Sequence, residues 1–217
     1  ALLNLDLVND FTALFGTGYS YSQESRTDPN AISGATTQAG VHELRASAGL
    51  AKNLGLLRGT TTLDITRTMY GSATLADGSS LLVKDRNTLG AEITTRIGYQ
   101  VSPALVPFVE TTIGREKYDQ RIDSSGSERS STTLGARAGA EINLGEKLSG
   151  EFAAGYVLRS LDDANLADIS GLTVDGELNW SPQRGTDVSL GLATTLESAT
   201  SAGQSGAVVY EFDSTLS

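Results

Sequence analysis

Thr133-Leu134-Gly135-Ala136-Arg137-Ala138-Gly139-Ala140-Glu141-Ile142-Asn143-Leu144 alternates without a break: the even positions carry only aliphatic carbon, and the odd ones carry threonine, glycine, arginine, glutamate and asparagine. A period of two belongs to a β-strand, whose successive side chains point to opposite faces. The segment predicts a strand with one apolar and one hydrated face. The same alternation recurs at 11–21, 43–53, 56–70, 87–100, 105–118, 148–160, 169–180, 186–198 and 206–217, with this strand at 131–144 and a remnant at 1–8. Set nearly end to end, such strands predict an all-β chain: a transmembrane up-and-down antiparallel β-barrel, about ten strands in these residues and part of a larger barrel. Residues 1–217 are expected to be a single domain, incomplete at one or both ends.

The connections alternate in length. Short ones fall at Leu54-Gly55, Ser102-Pro103-Ala104, Gly145-Glu146-Lys147 and Ser181-Pro182-Gln183-Arg184-Gly185, and long polar ones occupy 22–42, 71–86, 119–130, 161–168 and 199–205. Barrels of the outer membrane sort their connections in this way, with short turns at one end and longer loops at the other. A soluble sandwich has no reason to do so, although its inner faces would also exclude charge.

Composition agrees with a barrel. No stretch of eighteen apolar residues is available for a transmembrane helix. A mean hydropathy of -0.13 is compatible with membrane strands, which need apolar side chains only at alternate positions. A net charge of -10 repels a nucleic-acid backbone, and the lack of cysteine removes thiolate and disulfide chemistry. The ends lack a basic and apolar leader and a terminal aromatic strand, which suggests mature or internal sequence with a part missing.

The apolar, outward-facing set includes Val208 on the last strand, together with Leu89, Ala91, Ile93, Leu172, Val174, Leu190 and Leu192, these seven expected to stand exposed as a belt about 25 Å tall. Tyr99 and Trp180 lie beside short turns, while Tyr70, Tyr118, Tyr156 and Tyr210 lie toward long loops, two levels that suit rings at a membrane interface. The opposite face collects the expected lumen-lining residues. They are the acids Asp64, Glu92, Glu110, Glu141, Glu151, Asp175, Glu177, Asp187, Glu211 and Asp213, and the bases Arg45, Arg58, Arg96, Arg137 and Arg159. Ten carboxylates against five guanidiniums predict a negative, wet interior; the alternative is a closed interior rigidified by pairing. A turn at Leu54-Gly55 would set Arg45 opposite Asp64, and one centred on Pro103 sets Arg96 opposite Glu110. A three-residue turn at Gly145-Glu146-Lys147 sets Glu141 opposite Glu151, a repulsive pair unless Arg137 or a cation intervenes.

Catalytic chemistry finds no foothold. His42 is the single histidine, so neither a Ser-His-Asp arrangement with a spare base nor a multi-histidine metal site can be assembled, and it reads as a loop cap. Gly16-Thr17-Gly18-Tyr19-Ser20 lacks a following helix and reads as strand glycines rather than a phosphate loop. Asp162-Asp163-Ala164-Asn165-Leu166-Ala167-Asp168 lacks the spacing of a calcium loop, and Asp123-Ser124-Ser125-Gly126-Ser127 reads as a turn. No enzyme, cofactor or metal site is expected.

Val106-Pro107-Phe108-Val109-Glu110, Gly114-Arg115, Tyr118-Asp119, Leu134-Gly135-Ala136-Arg137-Ala138-Gly139, Asp168-Ile169-Ser170-Gly171-Leu172 and Leu178-Asn179-Trp180-Ser181-Pro182 together resemble the outer-membrane β-barrel porin family of alphaproteobacteria and relatives, over about 40–217. Members of that family are longer and often associated with exopolysaccharide export. The resemblance implies a passive outer-membrane conduit of a Gram-negative bacterium, serving sugar or polysaccharide export. Implied surroundings are outer-membrane lipid and lipopolysaccharide, with polysaccharide or other envelope proteins as partners. The rival expectation is a non-conducting barrel that presents its loops to polymers or protein partners.

Overall fold

The computed structural model describes residues 1–26, 31–123, 126–183, 185–198 and 205–216. Fourteen strands follow one another: β1 (Leu2–Asp6), β2 (Phe11–Gln23), β3 (Ala35–Thr37), β4 (Gly40–Leu54), β5 (Leu57–Tyr70), β6 (Ser72–Leu75), β7 (Ser80–Leu82), β8 (Thr88–Tyr99), β9 (Leu105–Tyr118), β10 (Ser131–Asn143), β11 (Leu148–Leu161), β12 (Ile169–Gln183), β13 (Thr186–Ser198) and β14 (Gly206–Leu216). Eleven of them form one antiparallel meander in the order β1-β2-β4-β5-β8-β9-β10-β11-β12-β13-β14, each strand paired with its neighbour and the sheet not closed on itself. The strands expected from alternation are all present, each within a few residues of its expected limits.

The two faces separate as the alternation requires. On one, Leu89, Ile93, Ile97, Val109, Ile113, Leu134, Phe152 and Leu172 are exposed; on the other, Val106, Phe108, Ala153, Val157 and Ile169 are buried. Of the expected belt, Ala91 is exposed with Leu89, Ile93 and Leu172, but Val174, Leu190 and Leu192 are half-buried. The last two line an apolar groove with Phe152 and Phe212, beside Gly150 and Gly176, which present no side chain of their own.

Short turns gather at one end of the strands. Leu54 pairs with Leu57 across Gly55 and Leu56, and Gly55, at φ +63°, fills the left-handed slot that a two-residue hairpin turn reserves for glycine. This turn is centred one residue later than expected, so Arg45 stands opposite Thr66 and Asp64 opposite Ser47. Moving the partner by two residues keeps every side chain on its face, which is why the face assignment survives while the Arg45–Asp64 pairing does not.

The long connections carry structure that strand alternation does not reveal. β3, from the connection between β2 and β4, joins β6 and β7, from that between β5 and β8, in a separate three-stranded sheet. Thr36 donates its hydroxyl to the Thr74 carbonyl at 3.1 Å, Arg86 binds Glu24 at 2.8 Å, and Ala39 and Ala73 are fully buried. Asp123 accepts the Ser127 amide at 2.9 Å, as a turn should, although 124–125 lie outside the described residues. Of the connection expected at 199–205, only Ser205 is described.

One hairpin departs from the simple wall. Pairing of β12 with β13 runs from Gln183↔Thr186 to Gly176↔Leu192 and goes no further. Beyond it the Thr194 hydroxyl takes the place of the ladder, accepting from the Val174 amide at 2.8 Å and donating to the Val174 carbonyl at 2.9 Å, while its own amide donates to Asp175 at 2.8 Å. β13 and β14 stay paired with each other above this point. Val208 comes so close to Gly171 that a Cβ on that glycine would lie 3.0 Å from its Cγ2, and Leu196 lines the inner cavity. The outward placing expected for Val208 is therefore corrected: the hairpin leans over the charged face because its ladder to β12 has ended.

Candidate functional site: the charged face

Register sorts the charged face into rows. One row runs Arg96 (β8), Glu110 (β9), Arg137 (β10), Gly155 (β11) and Thr173 (β12); the next toward the short turns runs Gly98, Phe108, Gly139, Ala153 and Asp175. A third sets Val106, Glu141, Glu151 and Glu177 side by side. Three carboxylates abreast repel one another unless a cation reaches them.

Arg96 is the cation that reaches two of them, Glu141 and Glu151. Its Nε donates to Glu110 at 2.7 Å, and its Nη atoms donate to Glu151 at 2.7 and 2.8 Å and to Glu141 at 3.2 Å. Strands β8 and β11 are three ladder steps apart, roughly 14 Å along a flat sheet. Direct contact between them means that the sheet bends toward this face, which is concave. Arg137 works alongside, donating to the other oxygen of Glu110 at 2.6 Å and reaching Asp175 at 2.8 Å. Of the two separators expected for Glu141 and Glu151, Arg137 or a cation, the structure supplies the second in the Arg96 guanidinium, while Arg137 turns toward β12.

Small residues make this reach feasible. Arg137 crosses β11 at Gly155, where a Cβ would lie 2.5 Å from the Arg137 Cβ and 2.1 Å from the Ala136 carbonyl oxygen. Phe108, only 4% exposed, lies over Gly139, where a Cβ would come within 2.7 Å of its ring; an aromatic covering a strand glycine replaces the missing contact area. The Arg96 guanidinium stacks on that ring, 3.9 Å from its centroid. Glu110 is 6% exposed, and its two oxygens are taken by two different arginines.

The remaining residues expected on this face share it by register, and the hydrogen bonds described for Arg96 and Arg137 go to other side chains. Asp64 faces Glu92 across β5 and β8, and Arg58 donates to Gln100 at 2.8 Å. Arg45 bonds Glu43 of its own strand at 2.6 Å, and Arg159 donates to Thr133 at 3.2 Å. Glu177 accepts from Asn179 at 3.1 Å, Asp187 from Ser181, and Glu211 and Asp213 are exposed on β14. A cavity of about 480 Å³ lies against Asp64, Glu92, Glu110, Arg137, Arg159 and Asp175, with threonines 62, 94, 112, 133, 173 and 194 supplying hydroxyls.

Phe108 and the glycines beneath the network were not singled out from sequence as parts of it. The available signal was parity, since Phe108 stands two residues before Glu110 and must share its face. Parity also corrects two rings: Tyr70 and Tyr118 belong to the charged face, and Tyr118 is buried there. Tyr99, Trp180, Tyr156 and Tyr210 are exposed. His42 sits within β4 and not in a loop; its Nδ1 is 2.9 Å from the Tyr19 hydroxyl and its ring packs against Tyr21, forming an aromatic group near the long-connection end.

At that end, strand arginines on the apolar face clasp loop acids. Arg67 of β5 reaches past β8 to Asp119 with bonds of 2.6 and 2.5 Å, and Arg115 of β9 reaches past β10 to Asp162 with bonds of 2.7 and 2.5 Å. The hydrogen bonds from these guanidiniums hold the Asp119 and Asp162 carboxyls below the usual carboxylate range. Asp163 is lowered by the amides of Asn165 and Glu128, so this acidic stretch is occupied by turn and pairing contacts.

A curved antiparallel wall with one exposed apolar face and one charged concave face defines a protein of the β-barrel class. The chain belongs to the family described as Putative beta-barrel porin 2, whose family model matches residues 1–216. No curated protein and no solved structure matches it.

Proposed function

We propose that this chain forms the wall of a passive aqueous conduit in the outer membrane of a Gram-negative bacterium, with the apolar face against lipid and lipopolysaccharide and the charged face lining the lumen. The observation that carries this reading is the unequal charge on the concave face, where the network alone sets Arg96 and Arg137 against Glu110, Glu141, Glu151 and Asp175. Excess carboxylate around water concentrates cations and repels anions. The conduit prefers small cations at low salt, and the preference fades as the screening length falls from about 10 Å at 0.1 M toward about 3 Å at 1 M. The wider context is export of sugar or polysaccharide, supported by the resemblance set out above and by the hydroxyls along the cavity. The chemistry needed is selection by width and charge, without a catalytic step.

Planar-bilayer recording decides between readings. A reversal potential of cation sign under a salt gradient is expected, and anion preference would overturn the acidic-lumen account. Absence of conductance would favour a structural barrel that presents its loops to polymers or envelope proteins, a reading supported by the separate sheet built from two long connections. Placement in lipid has its own test. Ala138 is exposed on the apolar face, and Ala138→Arg should cost about 2–4 kcal/mol of membrane assembly if that position lies near the bilayer midplane. Wild-type yield of assembled Ala138→Arg in vesicles would contradict the outward assignment.

A further inference from the structure

We propose that Phe108 is a positioning residue that determines the charge selectivity of the conduit by holding Arg96 across the carboxylate row; this rests on the pore reading above. Arg96 and Glu110 are direct cross-strand neighbours, so the shortest pairing open to the arginine is with Glu110 alone. Glu141 and Glu151 lie two rows away and two and three strands over. Between them and Arg96 lies the row of Gly98, Phe108, Gly139 and Ala153, in which only Phe108 has a side chain large enough to span the gap. Its ring lies low over Gly139 and presents a π-face 3.9 Å from the Arg96 guanidinium carbon.

The consequence is a choice between two charge distributions. With the ring in place, Arg96 is held out from β8 and its Nη atoms neutralise Glu141 and Glu151. Without an aromatic face, the guanidinium loses its attraction to that surface and retracts toward Glu110 and water. Glu141 and Glu151, beside Glu177, then lose their cation, and the potential along this row becomes more negative with no change in formal charge. Gly139 belongs to the same device, because a side chain there would displace the ring that supports Arg96.

The test compares wild type, Phe108→Leu, Phe108→Tyr and Arg96→Gln, all refolded as the full chain. Phe108→Leu should raise the cation-to-anion permeability ratio by at least about twofold, toward the value of Arg96→Gln, while Phe108→Tyr, which keeps the π-face, stays at the wild-type ratio. A Phe108→Leu ratio equal to wild type, or an Arg96→Gln ratio equal to wild type, overturns the proposal while leaving the pore reading intact. A second readout needs no conductance: labelling of Glu141 and Glu151 by a water-soluble carbodiimide with an amine, followed by mass spectrometry. Labelling should be several-fold faster in Phe108→Leu and Arg96→Gln than in wild type or Phe108→Tyr. Equal rates in wild type and Phe108→Leu refute the positioning of Arg96 even if no variant conducts.

Discussion

Strands β8–β12 and strands β2, β4 and β5 are built on the same alternation, but their concave faces are held together differently. From β8 to β12 two arginines tie side chains that are up to three strands apart, over a floor of Phe108, Gly139, Ala153 and Gly155. From β2 to β5 the corresponding face carries Gly16, Gly18, Ser47, Gly49, Thr60 and Thr62, and Arg45 bonds within its own strand. The first region is cross-braced, whereas the second relies on the backbone ladder between neighbours. An arginine braces a curved wall only when small residues let it lie across the intervening strands.

Glycine substitution should separate the regions most. Gly155→Val forces side-chain carbon into the Ala136 carbonyl and the Arg137 side chain, and is expected to cost about 3 kcal/mol of stability. Gly18→Val meets nothing closer than 3.9 Å and should stay within about 0.5 kcal/mol of wild type. Urea unfolding from lipid vesicles measures both, and similar losses would erase the distinction. Arginine deletion comes next. Arg96→Ala leaves the buried Glu110 with one partner and Glu141 and Glu151 without theirs, for about 2 kcal/mol, discounted from the cost of breaking a fully buried pair. Arg45→Ala should lose no more than about 0.5 kcal/mol, because its pair is open to solvent.

The smallest effect is at the rim. Asp119 and Asp162 titrate below their ordinary range in the folded protein, so the unfolded chain binds protons first as pH falls. Their contribution is complete above about pH 5, declines below about pH 4, and is lost as pH passes through the lowered folded values. The pairs are exposed, so together they should account for less than about 1 kcal/mol. Asp119→Asn with Asp162→Asn should flatten that part of the stability profile between pH 5 and pH 3; an unchanged slope would show that the rim clasps contribute nothing.

Strand positions and faces were legible because a two-residue period survives errors at strand ends. The Arg96–Glu110 and Glu141–Glu151 juxtapositions followed from turns whose centres were identified correctly. Arg45 was misplaced because its turn is centred one residue later, which leaves parity intact and moves the partner by two. Contacts beyond nearest neighbours were not legible, since the reach of Arg96 depends on curvature and on which rows are floored by glycine. The sheet of β3, β6 and β7 escaped notice because strands of three or four residues are too short to display a period. The turning of Val208 rests on the Thr194 hydroxyl, which differs little in sequence from the many other strand threonines.

Eleven strands, each antiparallel to the next, have a directional consequence. With an odd number in the meander, β1 and β14 run the same way. Joining these two edges would create one parallel seam, with slanted hydrogen bonds and slightly weaker pairing than the other joints. A second copy rotated about the membrane normal would present the same direction at the same edge, so pairing between copies meets the same restriction. A cylinder that stays antiparallel all the way round requires an odd number of additional strands between β14 and β1.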